Sequence, residues 1–379
     1  MKVRVAIVTE VFMPAVDGVV TRLRRTLEEL ERAGDEVLVI APEGGPPAYA
    51  GARVIGLPTL RMPLYPDGAG YPPKRVSFPG PALAAALRRF EPDVVHAINP
   101  VLLAAGAVMV ARSRKLPLVA SYHAHLPVYT HCYRLGLLEP AGWRYLRSLH
   151  NRADVNLATS RATAGLLAAH GIERLAHWPY GVDTERFHPR MRRADWRRRL
   201  SGGREHRLVL LYVGRLAKEK TIEHLLDAVR GRDDVALALV GDGPLRERLE
   251  RTFQGTPTTF LGFLHGAELA HAYASADVLV QPSQTETLGF VTLEAHAAGL
   301  PVLAAESPTA QELVEEGVDG LRFDPARPGS LAGCVQRLVA EPEHLRAMRR
   351  AARTSVAHAT WAEATATLRD HYEHARARA

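Results

Sequence analysis

The chain opens with an apolar run, a loop and an amphipathic stretch. Residues 3–8 (VRVAIV) are mostly β-branched, residues 19–33 carry apolar side chains at helical spacing, and a second apolar run covers residues 36–40. Strands that are buried on both faces, as in parallel sheets, appear in a sequence as continuous apolar runs. The opening therefore predicts a β-loop-α-β unit of a parallel sheet.

The same alternation continues through the first half of the chain. Further strands are predicted at residues 53–57, 93–97, 117–121 and 154–158, the last followed by Ser160 as the N-cap of a helix. Between the first two of these, residues 58–80 are rich in Pro and Gly and fit neither periodic structure. We expect this loop to contact an acceptor substrate or, as an equal alternative, to be a mobile surface loop.

The alternation breaks at residues 178–189 (WPYGVDTERFHP), which predicts an interdomain connection. The basic run at residues 190–200 is interpreted as a solvated helix face, with contact to anionic lipid headgroups as the alternative. A second α/β series follows, with strands at residues 207–213, 235–240 and 259–262. These patterns predict an α/β protein with two facing, Rossmann-like, doubly wound domains.

Composition narrows the functional classes. The 379 residues are 47% hydrophobic and 23% charged, which is typical of a globular protein with room for two cores. A net charge of +7 fits a nucleic-acid binder, a protein on an anionic membrane, or an enzyme that handles phosphorylated ligands. Because aromatic residues are only 6% and no cysteines have zinc-finger spacing, nucleic acid is disfavoured as a partner.

The cysteines and the hydropathy indicate a cellular compartment. Cys132 and Cys334 lie far apart, one in each predicted domain, so a reducing compartment is favoured over a structural disulfide. The first apolar run is too short for a signal peptide and is interrupted by Glu10. We expect a cytoplasmic enzyme, with association at the cytoplasmic face of a membrane as an open alternative.

Residues 281–301 (QPSQTETLGFVTLEAHAAGLP) combine a strand end, a polar loop and a helix start. In a parallel sheet such a junction opens into the ligand crevice, and the helix directs unpaired N–H groups there, where phosphates bind. Glu286 in the loop and Glu294 in the helix would repel an anion unless they face hydroxyl groups. The pattern favours a sugar and a ribose on either side of a diphosphate, although each carboxylate alone is compatible with a solvated or helix-capping role.

Cations and histidines follow two other predicted strands. Arg215 and Lys220 lie in the loop after residues 207–213, where they suit phosphate binding, with ion pairs to neighbouring acids as the alternative; Lys218 is expected to be exposed. His123 and His125 follow residues 117–121 directly. Two histidines at this spacing are compatible with a metal site, but no third ligand is apparent.

The spacing from Glu286 to Glu294, with Leu288-Gly289-Phe290 between them and Ala298-Gly299 after, resembles the signature of retaining nucleotide-sugar glycosyltransferases of family 4. His296 stands where this signature has Met. The resemblance implies the GT-B fold, with a domain at 1–185 for the acceptor, a domain at 186–355 for the donor, and a helix at 356–379 that crosses back to the first domain.

The resemblance also implies a role for each candidate residue. Glu286 and His123 would contact the donor sugar, Glu294 the ribose, and Arg215 and Lys220 the diphosphate. The backbone near Gly18 would approach the donor phosphate, and His125 would face the acceptor. The remaining donor contacts would come from the phosphate-binding loop and the base site, namely Thr287, Leu288, Gly289, Phe263 and Leu264. At the position of Asp17, before Gly18, many families have a second glycine, so this chain differs from that pattern there. For Phe263 and Leu264, packing in the core is the alternative role.

The amino-acid sequence around Glu286 and Glu294, together with the segment that begins at His123, resembles that of glycolipid-forming mannosyl- and sulfoquinovosyl-transferases. The favoured reaction moves mannose from GDP-mannose to a lipid or glycan acceptor, with a UDP-sugar donor close behind. A nucleotide-sugar epimerase and a binding module without turnover remain as alternatives. The chain contains no D-x-D sequence, so no metal cofactor is implied and the two cations would take its place. Residues 128–152 suit either a lipid interface or core burial.

Overall fold

The computed structural model describes residues 2–15, 17–61, 75–123, 139–285 and 289–378. The chain forms two compact units. The first contains the described residues up to Gly181 and the segment from Trp361 onward, and the second extends from Val182 to Thr360. Within the described ranges, no helix combines the length and apolar character needed to cross a bilayer.

An eight-stranded sheet forms the centre of the first unit. Four of its strands come early in the chain: β1 (Arg4–Thr9), β2 (Glu36–Pro42), β3 (Ala48–Tyr49) and β4 (Ala52–Leu57). The other four are β7 (Val94–Ile98), β8 (Leu118–Tyr122), β9 (Val155–Ala158) and β10 (Leu175–His177). Between these two groups, β5 (Thr59–Arg61) and β6 (Arg75–Ser77) form a separate hairpin. The order is β10-β9-β8-β7-β1-β2-β4-β3, with all pairs parallel except β3 with β4. The predicted parallel sheet is confirmed.

Helices cover both faces of this sheet. They are α1 (Gly18–Arg32), α2 (Pro81–Phe90), α3 (Leu103–Ser113), α4 (Glu139–His150), α5 (Arg161–Ala169) and, at the end of the chain, the helix Trp361–Arg378. Ser160 caps α5 as predicted, its side chain accepting the N–H of Thr163 at 3.0 Å. The final helix packs beside α1 and buries Leu368 and Tyr372 in the core of the first unit.

The prediction of an irregular loop at residues 58–80 is wrong near both of its ends. Thr59–Arg61 and Arg75–Ser77 pair as an antiparallel hairpin, and the Ser77 hydroxyl donates to the carbonyl of Leu57 at 3.2 Å. The Pro and Gly residues between the two strands, which produced the irregular reading, fall largely at residues 62–74, outside the described part of the chain.

The second unit has a six-stranded parallel sheet. Its strands are β11 (Leu208–Val213), β12 (Val235–Val240), β13 (Thr258–Gly262), β14 (Val278–Gln281), β15 (Val302–Ala305) and β16 (Gly320–Phe323). The order β13-β12-β11-β14-β15-β16 is the doubly wound arrangement with its switch point between β11 and β14. The flanking helices are α6 (Ala194–Leu200), α7 (Leu226–Val229), α8 (Arg246–Thr252), α9 (Gly266–Ser275), α10 (Phe290–Ala297), α11 (Pro308–Leu313), α12 (Ser330–Ala340) and α13 (Pro342–Ser355), which makes the final helix α14 (Trp361–Arg378).

One arginine of the basic run at residues 190–200 is not on a solvated face. Arg197 is largely buried, pairs with Asp277 at 2.6 Å and donates to the carbonyl of Arg207 at 2.6 Å. Asp277 also accepts the N–H of Val209 at 2.9 Å. Arg197 therefore ties α6 to the starts of β11 and β14, whereas Arg198 and Arg199 are exposed as predicted.

Glu10 performs a structural role at the switch point of the first unit, where β1 and β7 lie side by side. Its Oε1 accepts the backbone N–H groups of Val101, Leu102 and Ala104 at 2.8–3.1 Å, and its Oε2 accepts that of Leu103 at 3.1 Å. A helix start carries unpaired N–H groups and a partial positive charge. The carboxylate of Glu10 satisfies these groups at α3 from within the protein.

Candidate active site

Two loops leave the carboxyl ends of β11 and β14, which are neighbours at the switch point of the second sheet. The first loop covers residues 214–221 and holds the predicted cations, and the second begins at residue 282, directly after β14. In doubly wound sheets ligands bind at this place. Glu286, Thr287 and Leu288 lie outside the described residues.

Three hydroxyl groups join the two loops. The Thr221 hydroxyl donates to the carbonyl of Pro282 at 2.8 Å, and the hydroxyls of Ser283 and Thr285 donate to the carbonyl of Glu219 at 3.1 and 3.4 Å. Lys220 lies between the two anchored residues of the first loop. Its backbone is therefore held against the segment that leads to Glu286.

Arg215 is part of an ion pair within its own loop. Its Nη2 lies 2.9 Å from Oε1 of Glu219, and the Arg215 side chain is 22% exposed. The Tyr212 hydroxyl donates to the backbone carbonyl of Arg215 at 3.0 Å, which fixes the start of the loop. The ion-pair alternative thus holds for Arg215, whose side chain is not fully buried. Lys220 is half-buried, and Lys218 is exposed as predicted.

Gly289 has a conformation and surroundings that require glycine. Its φ of +60° is left-handed, and it immediately precedes α10 as the N-cap residue. A Cβ at this position would lie 2.2 Å from Cδ1 of Leu313. Gly289 therefore allows the close approach of α11 to the start of α10, where the predicted phosphate-binding N–H groups lie.

Glu294 lies in α10 and receives a hydrogen bond from the Tyr273 hydroxyl to its Oε2 at 2.9 Å. Burial raises the pKa of Glu294 to about 7, although the Tyr273 hydrogen bond and the charge of Arg186 act in the opposite direction. The carboxyl is therefore mostly neutral below this pH.

The predicted base site follows β13. Leu264 is buried, which favours the core-packing alternative for this residue. Phe263 is only partly buried, and its ring stacks on that of His265 with centroids 6.0 Å apart and planes inclined by 9°. Of the two predicted residues, Phe263 presents the more accessible surface.

In the first unit, His123 follows the carboxyl end of β8. Its side chain is buried, its Nε2 lies 2.8 Å from the Ser121 hydroxyl, and its backbone N–H donates to Oδ1 of Asn99 at 3.2 Å. Burial, with a smaller contribution from the charge of Arg22, holds the pKa of His123 well below its usual value. The imidazole is neutral at physiological pH. His125 lies outside the described residues.

Gly18 is the first residue of α1 and is partly buried. Asp17 acts as the N-cap, and its Oδ1 accepts the N–H of Val20 at 2.8 Å. The aspartate that departs from the double-glycine pattern thus has a capping role at this helix start.

Arg22 was missed by sequence reasoning. Its guanidinium is buried, lies 3.7 Å from the ring of Trp178, and donates to the carbonyls of Trp178 and Pro179 at 2.8 and 2.6 Å. Burial lowers its pKa to about 9. The available signal was its position four residues before Thr26 and eight before Leu30, which places a charge on the buried face of α1.

Two family models match the chain, one to each unit. Glycosyltransferase Family 4 matches residues 16–186, and Glycosyl transferases group 1 matches residues 196–355. A GDP-mannose-dependent alpha-mannosyltransferase of Mycolicibacterium smegmatis is 39% identical over 98% of this chain and 97% of its own length. The sulfoquinovosyl transferase of Arabidopsis thaliana is 36% identical over 94% of this chain and 70% of its own length.

The solved structures agree in fold. Sucrose-phosphate synthase of Thermosynechococcus elongatus superposes with a TM-score of 0.79 over 100% of each chain, at 22% identity. The predicted GT-B fold and the predicted enzyme class, a hexosyltransferase, are confirmed. By its family models and by a relative that is similar over nearly its whole length, the chain belongs to the glycosyltransferases of family 4.

Proposed function

We propose that the chain is a retaining mannosyltransferase that takes its sugar from GDP-mannose and transfers it to a hydroxyl group of a lipid or lipid-linked glycan. The observation that carries the donor site is the set of hydroxyl bonds that hold the loop of Arg215 and Lys220 against the loop leading to α10. This arrangement brings cations and a helix start to one switch point, which suits a diphosphate.

The proposed reaction breaks the bond between the sugar C1 and the diphosphate oxygen. As that bond loosens, the acceptor hydroxyl attacks C1 from the same face and its proton passes to the departing diphosphate. Arg215 and Lys220 stabilise the negative charge that develops on the leaving group. Glu286 and His123 bind sugar hydroxyls, and Glu294 binds the ribose.

The preference for GDP-mannose rests on the similarity to the GDP-mannose-dependent mannosyltransferase over almost the whole of both chains. The similarity to a sulfoquinovosyl transferase supports the alternative of a UDP-sugar donor. Because Phe263, the more accessible of the two residues predicted for the base site, has no charge, its side chain does not distinguish uracil from guanine electrostatically.

Contact with the cytoplasmic face of an anionic membrane is part of the proposal. On α4, Arg144, Tyr145 and Arg147 are exposed while Trp143 is buried. Exposed cations beside an amphipathic ring suit a surface rich in anionic headgroups. The buried Trp143 supports the core alternative for its own position, and residues 128–138 lie outside the described part of the chain.

A donor screen tests the proposal. We expect the purified chain to transfer mannose from radiolabelled GDP-mannose to a membrane lipid extract, and GDP to raise its melting temperature more than UDP does at equal concentration, because a tighter ligand stabilises the folded state more. Turnover of UDP-sugars with none of GDP-mannose would reject the donor assignment. An altered nucleotide sugar released without acceptor would indicate an epimerase, and nucleotide binding without any product would indicate a binding module.

The pKa of Glu294 predicts a pH-dependent affinity for GDP. Ribose hydroxyls donate best to the ionised carboxylate, so binding should favour the form that burial disfavours in the free protein. Since the pKa is raised to about 7, we expect affinity to fall as pH decreases, approaching about tenfold per unit well below pH 7. Isothermal titration from pH 5.5 to 8 measures this dependence.

The control for this prediction is Glu294→Gln, which retains the shape of the side chain but does not titrate. It should keep only the part of the pH dependence that comes from the diphosphate itself. Identical pH profiles for the two proteins would show that Glu294 does not bind the ribose.

A further inference from the structure

A buried row of four side chains in the first unit connects α14 to His123. The Tyr372 hydroxyl lies 2.8 Å from Nδ1 of His96, and Nε2 of His96 lies 2.9 Å from the hydroxyl of Ser121. The same hydroxyl lies 2.8 Å from Nε2 of His123. All four side chains are at most 2% exposed, so bulk water does not compete for these hydrogen bonds.

The direction of the hydrogen bonds follows from the Tyr372 hydroxyl. Among the described residues, His96 Nδ1 is the hydrogen-bond partner of this hydroxyl, and burial raises the pKa of Tyr372 well above its usual value. The phenol therefore keeps its proton and donates it to His96, because a buried O–H without an acceptor is costly.

The remaining protons are then determined one by one. Burial lowers the pKa of His96 to about 3, so its ring is neutral and carries a single proton. With Nδ1 accepting from Tyr372, that proton lies on Nε2 and is donated to the oxygen of Ser121. Ser121 in turn donates its own proton to Nε2 of His123. Neutral His123 then carries its ring proton on Nδ1.

We propose that Tyr372 is a positioning residue which, through His96 and Ser121, fixes His123 as the Nδ1–H tautomer so that it donates a hydrogen bond to a hydroxyl of the donor sugar. This inference rests on the proposed role of His123 in sugar binding. It gives α14 a function in transfer although Tyr372 contacts neither donor nor acceptor. Tyr372 and His123 are 249 positions apart in the sequence, and the topology of the first sheet brings them together.

The tautomer is measured directly by NMR of the intact chain with ¹⁵N-labelled histidine and no substrate. The His123 signals are identified by their loss in His123→Gln. We expect wild-type His123 to have a protonated Nδ1 and an unprotonated Nε2. In Tyr372→Phe, either tautomer of His96 leaves one ring nitrogen unpaired, so we expect His96 and His123 each to populate both tautomers. Protonated Nε2 on wild-type His123, or an unchanged tautomer in Tyr372→Phe, would overturn the proposal.

Steady-state transfer provides the second readout. We expect Tyr372→Phe to lower kcat about tenfold while KM for the donor changes less than twofold, because Tyr372 is proposed to act on the contact with the reacting sugar and not on the diphosphate. Ser121→Ala should act in the same direction, and Ser121→Thr, which retains the hydroxyl, should restore most of kcat. Tyr49→Phe is the matched control, since it removes a phenolic hydroxyl of the same unit that bonds to Glu28 and not to the row.

The two readouts separate the possible failures. A shifted tautomer in Tyr372→Phe with undiminished kcat overturns the positioning role, and undiminished kcat in His123→Gln overturns the role of His123 on which it depends. Absence of transfer in the wild type, with the Nδ1–H tautomer present, contradicts the proposed function and leaves the hydrogen-bond assignment standing. Melting temperatures of all variants establish that each is folded.

Discussion

Lys220→Ala is expected to lower kcat for sugar transfer by about 10²–10³-fold, the usual effect of removing one group that stabilises developing negative charge. The leaving diphosphate gains charge as the glycosyl bond breaks, and Lys220 lies in the loop proposed to bind this group, between the anchored residues Glu219 and Thr221. Initial rates at saturating donor, measured by release of labelled sugar into product, give the value.

Lys218→Ala is the matched control for this experiment. It removes the same charge two residues earlier in the same loop, from a side chain that is exposed. We expect its rate to stay within twofold of wild type. Equal losses for the two variants would mean that only the general positive potential matters, and a fully active Lys220→Ala would remove Lys220 from the mechanism.

Gly289→Ala is expected to weaken nucleotide binding roughly 100-fold, the effect of displacing site groups by about 1 Å. A methyl group there must adopt a left-handed φ and would lie 2.2 Å from Cδ1 of Leu313. To relieve this collision, either the Leu313 side chain rotates or the first turn of α10 moves away from α11; we expect the second, which would displace the N–H groups proposed to bind phosphate. Calorimetric titration with GDP measures the loss.

Two further variants separate the collision from the backbone strain. Gly329 has a φ of +78° and also precedes a helix as its N-cap residue, but a Cβ there meets no atom within 4 Å. Gly329→Ala should therefore cost stability alone, about 1 kcal/mol, and leave GDP affinity unchanged. Adding Leu313→Ala to Gly289→Ala should restore part of the affinity. Unchanged affinity in Gly289→Ala itself would mean that the start of α10 does not move, or that it does not bind the phosphate.

The strands of both sheets were predictable because helices cover both faces of each sheet. A strand buried on both faces appears in the sequence as a continuous apolar run. A strand such as β12 at Val235–Val240 is apolar at every position and is bounded by residues that end the pattern, so its limits in the structure equal the predicted ones. The hairpin of β5 and β6 was not predictable in this way. Its strands have three residues each and depend on pairing with one another, which no periodicity of that length reveals.

Site residues were predictable where their role depends on their position next to a strand end. They were not predictable where the role depends on contacts between residues far apart in the sequence. Arg215, Lys220 and Glu294 occupy fixed places relative to strand ends, and the family signature identifies them. The buried environment of Arg22 and the bond between His96 and Tyr372 join residues 156 and 276 positions apart. Side chains at such separations leave no local pattern, and only the folded sheet brings them together.

Glu10 has a consequence for how many nucleotides one chain can carry. Both units present a helix start beside the first strand of their sheet, and such a start attracts any anion. In the first unit the Glu10 carboxylate, which belongs to the chain itself, already accepts the N–H groups of this helix start. With this helix start of the first unit already paired, we expect one chain to bind one nucleoside diphosphate, at the second unit.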